Sequence, residues 1–118
     1  MSIRDDLLPL SPLSMAILLA LADGDRHGYA LMQEIEAQSG GALTPGTGSL
    51  YAGLQRLMED GLIREAEAAP GEDRRRRYYA ITDDGRALAR AEASRMLDVL
   101  QLAAKKKLAP DLAPAVPK

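Results

Sequence analysis

The sequence predicts a mainly helical fold with one short two-stranded β-hairpin. Four stretches carry apolar residues at helical spacing. Between the third and fourth of them, two short segments with alternating apolar residues flank a turn at Pro70-Gly71. The chain has 118 residues, which suits one domain with a modest core, or a subunit that completes its core by association.

The first two helices are predicted over residues 12–22 and 27–39, after an N-terminal arm or short helical lead. Ser11 and Pro12 are a favourable N-cap and first helical residue. The run that follows is apolar almost all round, so the first helix should be buried on most sides. His27 is the only histidine, and it is interpreted as a helix-start residue because no second imidazole is available to share a metal.

The third helix is the stretch around which the other elements are organised. Its apolar face is Leu50, Leu54, Leu57 and Met58. Small side chains on the opposite face would let its backbone approach a large partner closely, and a free helix N-terminus favours phosphate. The pattern fits a recognition helix for the DNA major groove, and it equally fits an ordinary amphipathic core helix behind a glycine-rich loop. The residues assigned to the start and the exposed face are Thr47, Gly48, Ser49, Ala52, Gly53 and Arg56.

The ends of the third helix are predicted from local signals. Thr44 or Thr47 can serve as its N-cap, and Pro45 can open the first turn. Gly61 suits the left-handed residue that follows a helix. Tyr51 flanks the predicted DNA face, so we favour a phosphate contact through its hydroxyl; the alternative is a ring buried at the edge of the apolar face with its hydroxyl in water.

The hairpin is predicted to have strands over residues 63–68 and 77–82. Alternation places Tyr79 and Ile81 on one face of the second strand and Tyr78 on the other. The strongest charge feature of the chain precedes that strand, and Glu72-Asp73 could partly neutralise it. A charge run is usually a solvated loop, but beside a recognition helix it can reach a DNA backbone or minor groove. The run is Arg74, Arg75, Arg76 and Arg77.

The fourth helix begins after Thr82, has acidic residues in its first turn and ends in lysines, which suits the helix dipole. Small and apolar residues along it follow spacings of four and three, as in a coiled coil. We predict that this seam pairs with a second copy; the alternative is that it folds back on its own core. The proline-rich residues 109–118 are predicted to be disordered. The seam residues are Ala89, Ala93, Met96, Leu97, Leu100 and Ala103.

Three helices, a hairpin and a long helix give the order of a winged helix-turn-helix protein, in which the third helix enters the major groove. The predicted organisation is therefore a winged-helix DNA-binding domain over residues 1–82, a dimerisation helix over 83–108 and a tail over 109–118.

Short motifs stand in order within about residues 13–100. They are His27-Gly28-Tyr29-Ala30-Leu31, Gly46-Thr47-Gly48-Ser49-Leu50-Tyr51, Leu54-x-Arg56-Leu57, Asp60-Gly61-Leu62-Ile63 and Arg77-Tyr78-Tyr79-x-Ile81-Thr82-x-x-Gly85. Together they resemble the PadR family of transcriptional regulators. The resemblance implies a dimeric repressor, often controlled by a small molecule, and it adds Tyr29 to the DNA contacts. A two-fold dimer with one recognition helix per subunit should bind a pseudo-palindromic DNA site. The short C-terminal region resembles the smaller members, and Gly48 departs from the usual motif.

Other functional classes find little support. The chain has no cysteine, one histidine and no nucleophile with a base beside it, so we expect neither an enzyme nor a metal or cofactor site. The longest apolar run is too short to cross a bilayer, and the N-terminus lacks the positive lead of a signal peptide, so a cytoplasmic protein is expected. The net charge of −2 does not itself indicate a nucleic-acid binder. The main alternative is a winged helix that makes protein contacts without binding DNA.

Overall fold

The computed structural model describes residues 5–109, with four α-helices and three short β-strands in that range. The arm at residues 1–4 and the tail at 110–118 lie outside the described residues. A turn of 3-10 helix at Asp5–Leu7 precedes the first α-helix. The elements in chain order are α1 (Pro12–Leu21), β1 (Arg26–His27), α2 (Gly28–Gln38), α3 (Thr47–Glu59), β2 (Ile63–Ala66), β3 (Tyr78–Ile81) and α4 (Asp83–Lys105).

The core is built around α1, which contacts α2, α3, α4 and β3. The Oγ atom of Ser11 accepts the N–H of Ser14 at 3.0 Å, so the predicted N-cap is confirmed. Most of α1 is buried, as predicted, although Leu19 keeps half of its surface exposed. The side chains that α2, α3 and α4 bury in the same core are Leu31, Ile35, Leu50, Leu54, Leu57 and Leu88.

The sheet has three antiparallel strands in the order β1-β3-β2, one more than predicted. In this sheet Arg26 pairs with Tyr79, and Ile63 pairs with Ile81. β1 has only two residues, too few to show alternation, so it could not be recognised locally. The predicted fold class, mainly helical with a small β-wing and a long C-terminal helix, is confirmed.

Tyr78 and Tyr79 are adjacent in β3, and both rings are buried. Tyr78 lies edge-on to the ring of His27, with the ring centres 5.4 Å apart. Its hydroxyl donates a hydrogen bond to Glu72 at 3.1 Å, so the loop between β2 and β3 covers this ring.

The start of α3 differs from the prediction. Gly46, rather than Thr44 or Thr47, is the N-cap, and Thr47 is the first helical residue. The end is as predicted, since Gly61 follows the helix with a φ of +76°.

α4 has two environments along its length. Thr82 caps it, as predicted, by accepting the N–H of Gly85 at 3.0 Å. Its first half packs on α1 and buries Glu92, whose two carboxylate oxygens each accept a hydrogen bond of 2.8 Å from Arg95. Beyond this point the large apolar side chains are exposed. Within residues 5–109, none of the helices has the length and hydropathy needed to cross a membrane.

Candidate nucleic-acid interface

The first turn of α3 is open to solvent. The residues Thr47, Gly48 and Ser49 are all exposed. The N-cap Gly46 has no side chain that could bond to the free N–H groups of this turn. These donors and the positive end of the helix dipole therefore point to solvent, where an anionic backbone can meet them.

The exposed face of α3 is rotated from the predicted one. A Cβ atom on Gly53 would lie 3.4 Å from Leu13 and 3.5 Å from Ile17, so this glycine faces α1, and its assignment to the exposed face is wrong. Residues Ser49, Ala52 and Arg56 are exposed, as predicted.

The sequence interpretation missed Gln55 on this exposed face. Its side-chain amide donates a hydrogen bond to Glu59 at 3.1 Å. The helical repeat was the available signal, because a step of 100° places Gln55 well away from the apolar face of α3.

Tyr51 joins α3 to the start of α2. A Cβ atom on Gly28 would overlap the Tyr51 hydroxyl oxygen and lie 2.8 Å from the ring carbon that carries it. Glycine at position 28 is therefore what allows this ring to rest on the first turn of α2. Tyr51 and the neighbouring Tyr29 remain 46% and 55% exposed, so both rings can still reach a partner.

His27 links the same turn to the wing, which we define as β2, β3 and the loop between them. Its Nδ1 atom accepts the N–H of Ala30 at 3.1 Å, which confirms its role at the helix start. A guanidinium nitrogen of Arg76 lies 3.3 Å from the same Nδ1 atom. The Arg76 guanidinium also lies 6.0 Å from the centre of the Tyr29 ring.

Of the other three arginines in the run at residues 74–77, two are paired with carboxylates and one is free. The closest ion-pair distances are 3.1 Å from Arg75 to Asp73 and 3.4 Å from Arg77 to Glu65. Arg74 has no ion pair among residues 5–109. Hydrogen bonds from the side chain and backbone of Arg75 lower the pKa of the Asp73 carboxyl group from its ordinary value. All four arginines are exposed.

The predicted contacts thus form two groups. Tyr29, Tyr51 and Arg76 surround the first turn of α2, which joins the wing to α3. Arg56 lies apart from them, beside a surface groove that it shares with Ser14 and Asp60.

The predicted dimer seam is divided in a similar way. Ala89 packs against the core of its own chain. Met96, Leu97 and Leu100 are 49%, 50% and 37% exposed. Leu102, which the sequence interpretation did not include, is also 53% exposed. Ala93 is exposed and Ala103 is half-buried.

A metal centre has no visible basis in the described part of the chain. Within residues 5–109, no three His, Cys, Asp or Glu side chains come together in a way that could hold a metal ion.

Residues 17–91 match the family model described as the transcriptional regulator PadR-like family. The chain belongs to this family. The predicted family is therefore confirmed, and so is the prediction that the chain is not an enzyme, because PadR-like proteins are transcriptional regulators.

Relatives of this PadR-like chain differ widely in length. It is 45% identical over 82 residues to a 37.1 kDa protein in transposon TN4556 of Streptomyces fradiae, covering 70% of this chain and 22% of that protein. It is 42% identical over 84 residues to the transcriptional regulator Rv3488 of Mycobacterium tuberculosis, covering 71% of this chain and 74% of Rv3488. The chain thus spans about a fifth of the first relative and about three quarters of the second.

A solved structure supports the fold. The Bacillus subtilis PadR protein in complex with operator DNA superimposes with a TM-score of 0.59 at 24% identity, over 70% of this chain and 47% of the other. At this level of identity the comparison shows the winged-helix fold that the two proteins share.

Proposed function

We propose that this PadR-like chain is a dimeric repressor that binds a pseudo-palindromic DNA operator, with α3 in the major groove and the wing on the flanking backbone. The observation that carries the proposal is the open first turn of α3, at Thr47, Gly48 and Ser49, on the same domain as an exposed arginine-rich wing. The neighbouring B. subtilis structure, which contains operator DNA, supports a DNA partner. A DNA partner in turn favours action in the cytoplasm, as predicted from the sequence.

The proposed interface makes two kinds of contact, one with phosphates and one with base edges. Tyr29, Tyr51 and the wing arginines present hydroxyl and guanidinium donors, which suit phosphate oxygens and would set the position of the protein on the duplex. The exposed face of α3 offers small side chains that allow close approach, together with Gln55 and Arg56, whose side chains can reach base edges.

The proposed dimer uses the second half of α4. The exposed apolar side chains there include Met96, Leu97 and Leu100, and a second copy of α4 would remove them from water. Two copies related by a two-fold axis present two recognition helices, so the operator should contain two half-sites about one helical turn, or a multiple of it, apart. A small apolar effector, where one acts, would bind in the cleft between the subunits.

Two sets of arginine substitutions distinguish base contacts by α3 from phosphate contacts by the wing. If Arg56 reads a base, Arg56→Ala should weaken binding to the specific site by about 1–3 kcal/mol and change binding to random DNA little. Replacing both Arg75 and Arg76 with glutamine should weaken binding to both DNAs. It should also reduce the slope of affinity against salt by roughly one unit for each phosphate that the wing no longer neutralises. Affinities for both DNAs across a salt series measure the contrast.

Each half of this test has its own contradicting result. An unchanged salt slope in the Arg75→Gln, Arg76→Gln double variant would remove the wing from the DNA interface and leave it as a solvated loop. An equal loss of affinity for specific and random DNA in Arg56→Ala would make Arg56 a phosphate-binding residue.

Gly28→Ala should weaken DNA binding without unfolding the protein. The new methyl group would displace the Tyr51 hydroxyl, which is the far end of a half-exposed side chain and can move aside. We expect operator affinity to fall about tenfold, which corresponds to removing about one charge-assisted hydrogen bond. Circular dichroism should show a native fold, and fluorescence anisotropy with labelled operator gives the affinity.

Tyr51→Phe is the matched comparison for that substitution. If the hydroxyl binds phosphate, Gly28→Ala should weaken Tyr51→Phe little further, since both changes remove the same hydrogen bond. Additive reductions in affinity would show that Gly28 acts on DNA binding by another route.

A further inference from the structure

Asp73 lies at the base of the arginine run and is bonded to it several times. Its carboxylate accepts the backbone N–H of Arg75 at 2.9 Å and two guanidinium N–H groups of the same residue at 3.1 and 3.2 Å. Arg76 lies 3.6 Å from the second carboxylate oxygen. A single carboxylate therefore lies against two of the four arginines in the run.

These contacts use the chemistry by which an arginine binds a DNA phosphate. Carboxylates and phosphates both accept paired N–H groups from a guanidinium in the same plane. The other acidic residue before the run, Glu72, accepts the Tyr78 hydroxyl instead. Asp73 thus occupies the donors of Arg75 that a phosphate would otherwise take.

We propose that Asp73 competes with DNA phosphates for Arg75 and Arg76 and so limits the affinity of the wing for DNA. The inference rests on the proposed DNA binding and deepens it. Sequence-independent affinity comes almost entirely from phosphates neutralised by cations, so an internal anion on the wing lowers it directly. The wing makes phosphate contacts on the operator as well, so the competition lowers operator affinity by a similar factor, while the base contacts from α3 are left unchanged.

Asp73→Asn tests the competition with little change to the loop. Asparagine keeps an oxygen that can accept the Arg75 N–H, but it removes the charge. Exposed ion pairs are weak, so the expected effect is a rise of about threefold in affinity for random duplex, measured by anisotropy at low salt. The salt slope should rise by roughly one unit, as one more phosphate is neutralised. Operator affinity should rise by a similar factor.

Glu67→Gln is the charge-matched control. Glu67 is exposed in the wing close to the arginines, and it forms no ion pair within the described residues. Glu67→Gln changes the net charge by the same amount as Asp73→Asn, so it measures the general electrostatic effect alone. A further comparison introduces Asp73→Asn into the Arg75→Gln, Arg76→Gln double variant, where the rise in affinity should disappear.

The outcomes separate this inference from the proposed function. Equal rises in affinity for Asp73→Asn and Glu67→Gln would overturn the competition while leaving DNA binding in place. So would a rise from Asp73→Asn that persists without Arg75 and Arg76. Absence of DNA binding by the unaltered chain at low salt would instead contradict the proposed function, and this inference with it.

Discussion

Gly85→Ala is expected to destabilise the fold by at least about 3 kcal/mol, because an added methyl group has no room where α4 begins. A Cβ atom at this position would overlap the backbone carbonyl oxygen of Leu62 and lie 2.9 Å from the Ile81 side chain. The same carbonyl accepts the N–H of Thr82 at 3.1 Å, and Thr82 caps α4, so the backbone cannot move without breaking the cap. Chemical denaturation followed by circular dichroism measures the free energy of unfolding.

Gly24→Ala provides the control for Gly85→Ala. Gly24 has no atom within 4 Å of the Cβ position, and its free energy of unfolding should change by about 0.5 kcal/mol or less. If Gly85→Ala has the same free energy of unfolding as the unaltered chain, α4 is not packed tightly against the sheet at this point.

Leu100→Glu is expected to convert the proposed dimer into a monomer. Leu100 is 37% exposed in the single chain, so the substitution leaves the monomer fold intact. In the dimer it would bury an unpaired charge, at a cost of several kcal/mol. Each half-site would then bind alone, and operator affinity should fall by about a hundredfold or more because the two recognition helices are no longer linked. Sedimentation equilibrium at micromolar concentration and anisotropy with operator DNA measure the two effects.

Gln101→Glu adds the same charge one residue away, at a position that is exposed and lies off the predicted seam. It should remain dimeric and keep most of its operator affinity. If Leu100→Glu remains dimeric under the same conditions, the seam is assigned wrongly. Full-affinity protection of a single isolated half-site would contradict the two-fold arrangement.

The helices could be predicted from the sequence because their signals are local. The N-caps Ser11 and Thr82 act on residues three positions away, and the apolar face of α3 repeats along that helix alone. Gly61 is recognisable for a similar reason, because helices commonly end on a glycine with positive φ.

The remaining features depend on contacts between residues distant in the chain. β1 becomes a strand by pairing with β3, and Arg76 meets His27 across 49 residues of sequence. Gly53 was assigned to a surface that faces DNA, but in the structure this glycine faces α1. A helical repeat gives the direction of a side chain around the axis of its helix. The residues against which that side chain packs are set by the tertiary fold.

The arginine-rich wing also contains contacts that the sequence could not predict. Its composition predicted a surface that could bind phosphate, and the arginines are exposed as expected. Partial neutralisation by Glu72-Asp73 was predicted, and Asp73 does pair with Arg75 and Arg76. The pairing of Arg77 with Glu65 was not predicted, because these two residues are distant in the sequence.

The affinity of the unaltered chain for duplexes from its own upstream region, compared with random duplex of equal length, tests the central claim most directly. Anisotropy should show saturable binding to one upstream duplex, about a thousandfold tighter than to random DNA at physiological salt. Affinity for both DNAs should fall as salt is raised. Equal affinity for every duplex would contradict operator recognition, and no binding even at low salt would instead favour a winged helix used for protein contacts.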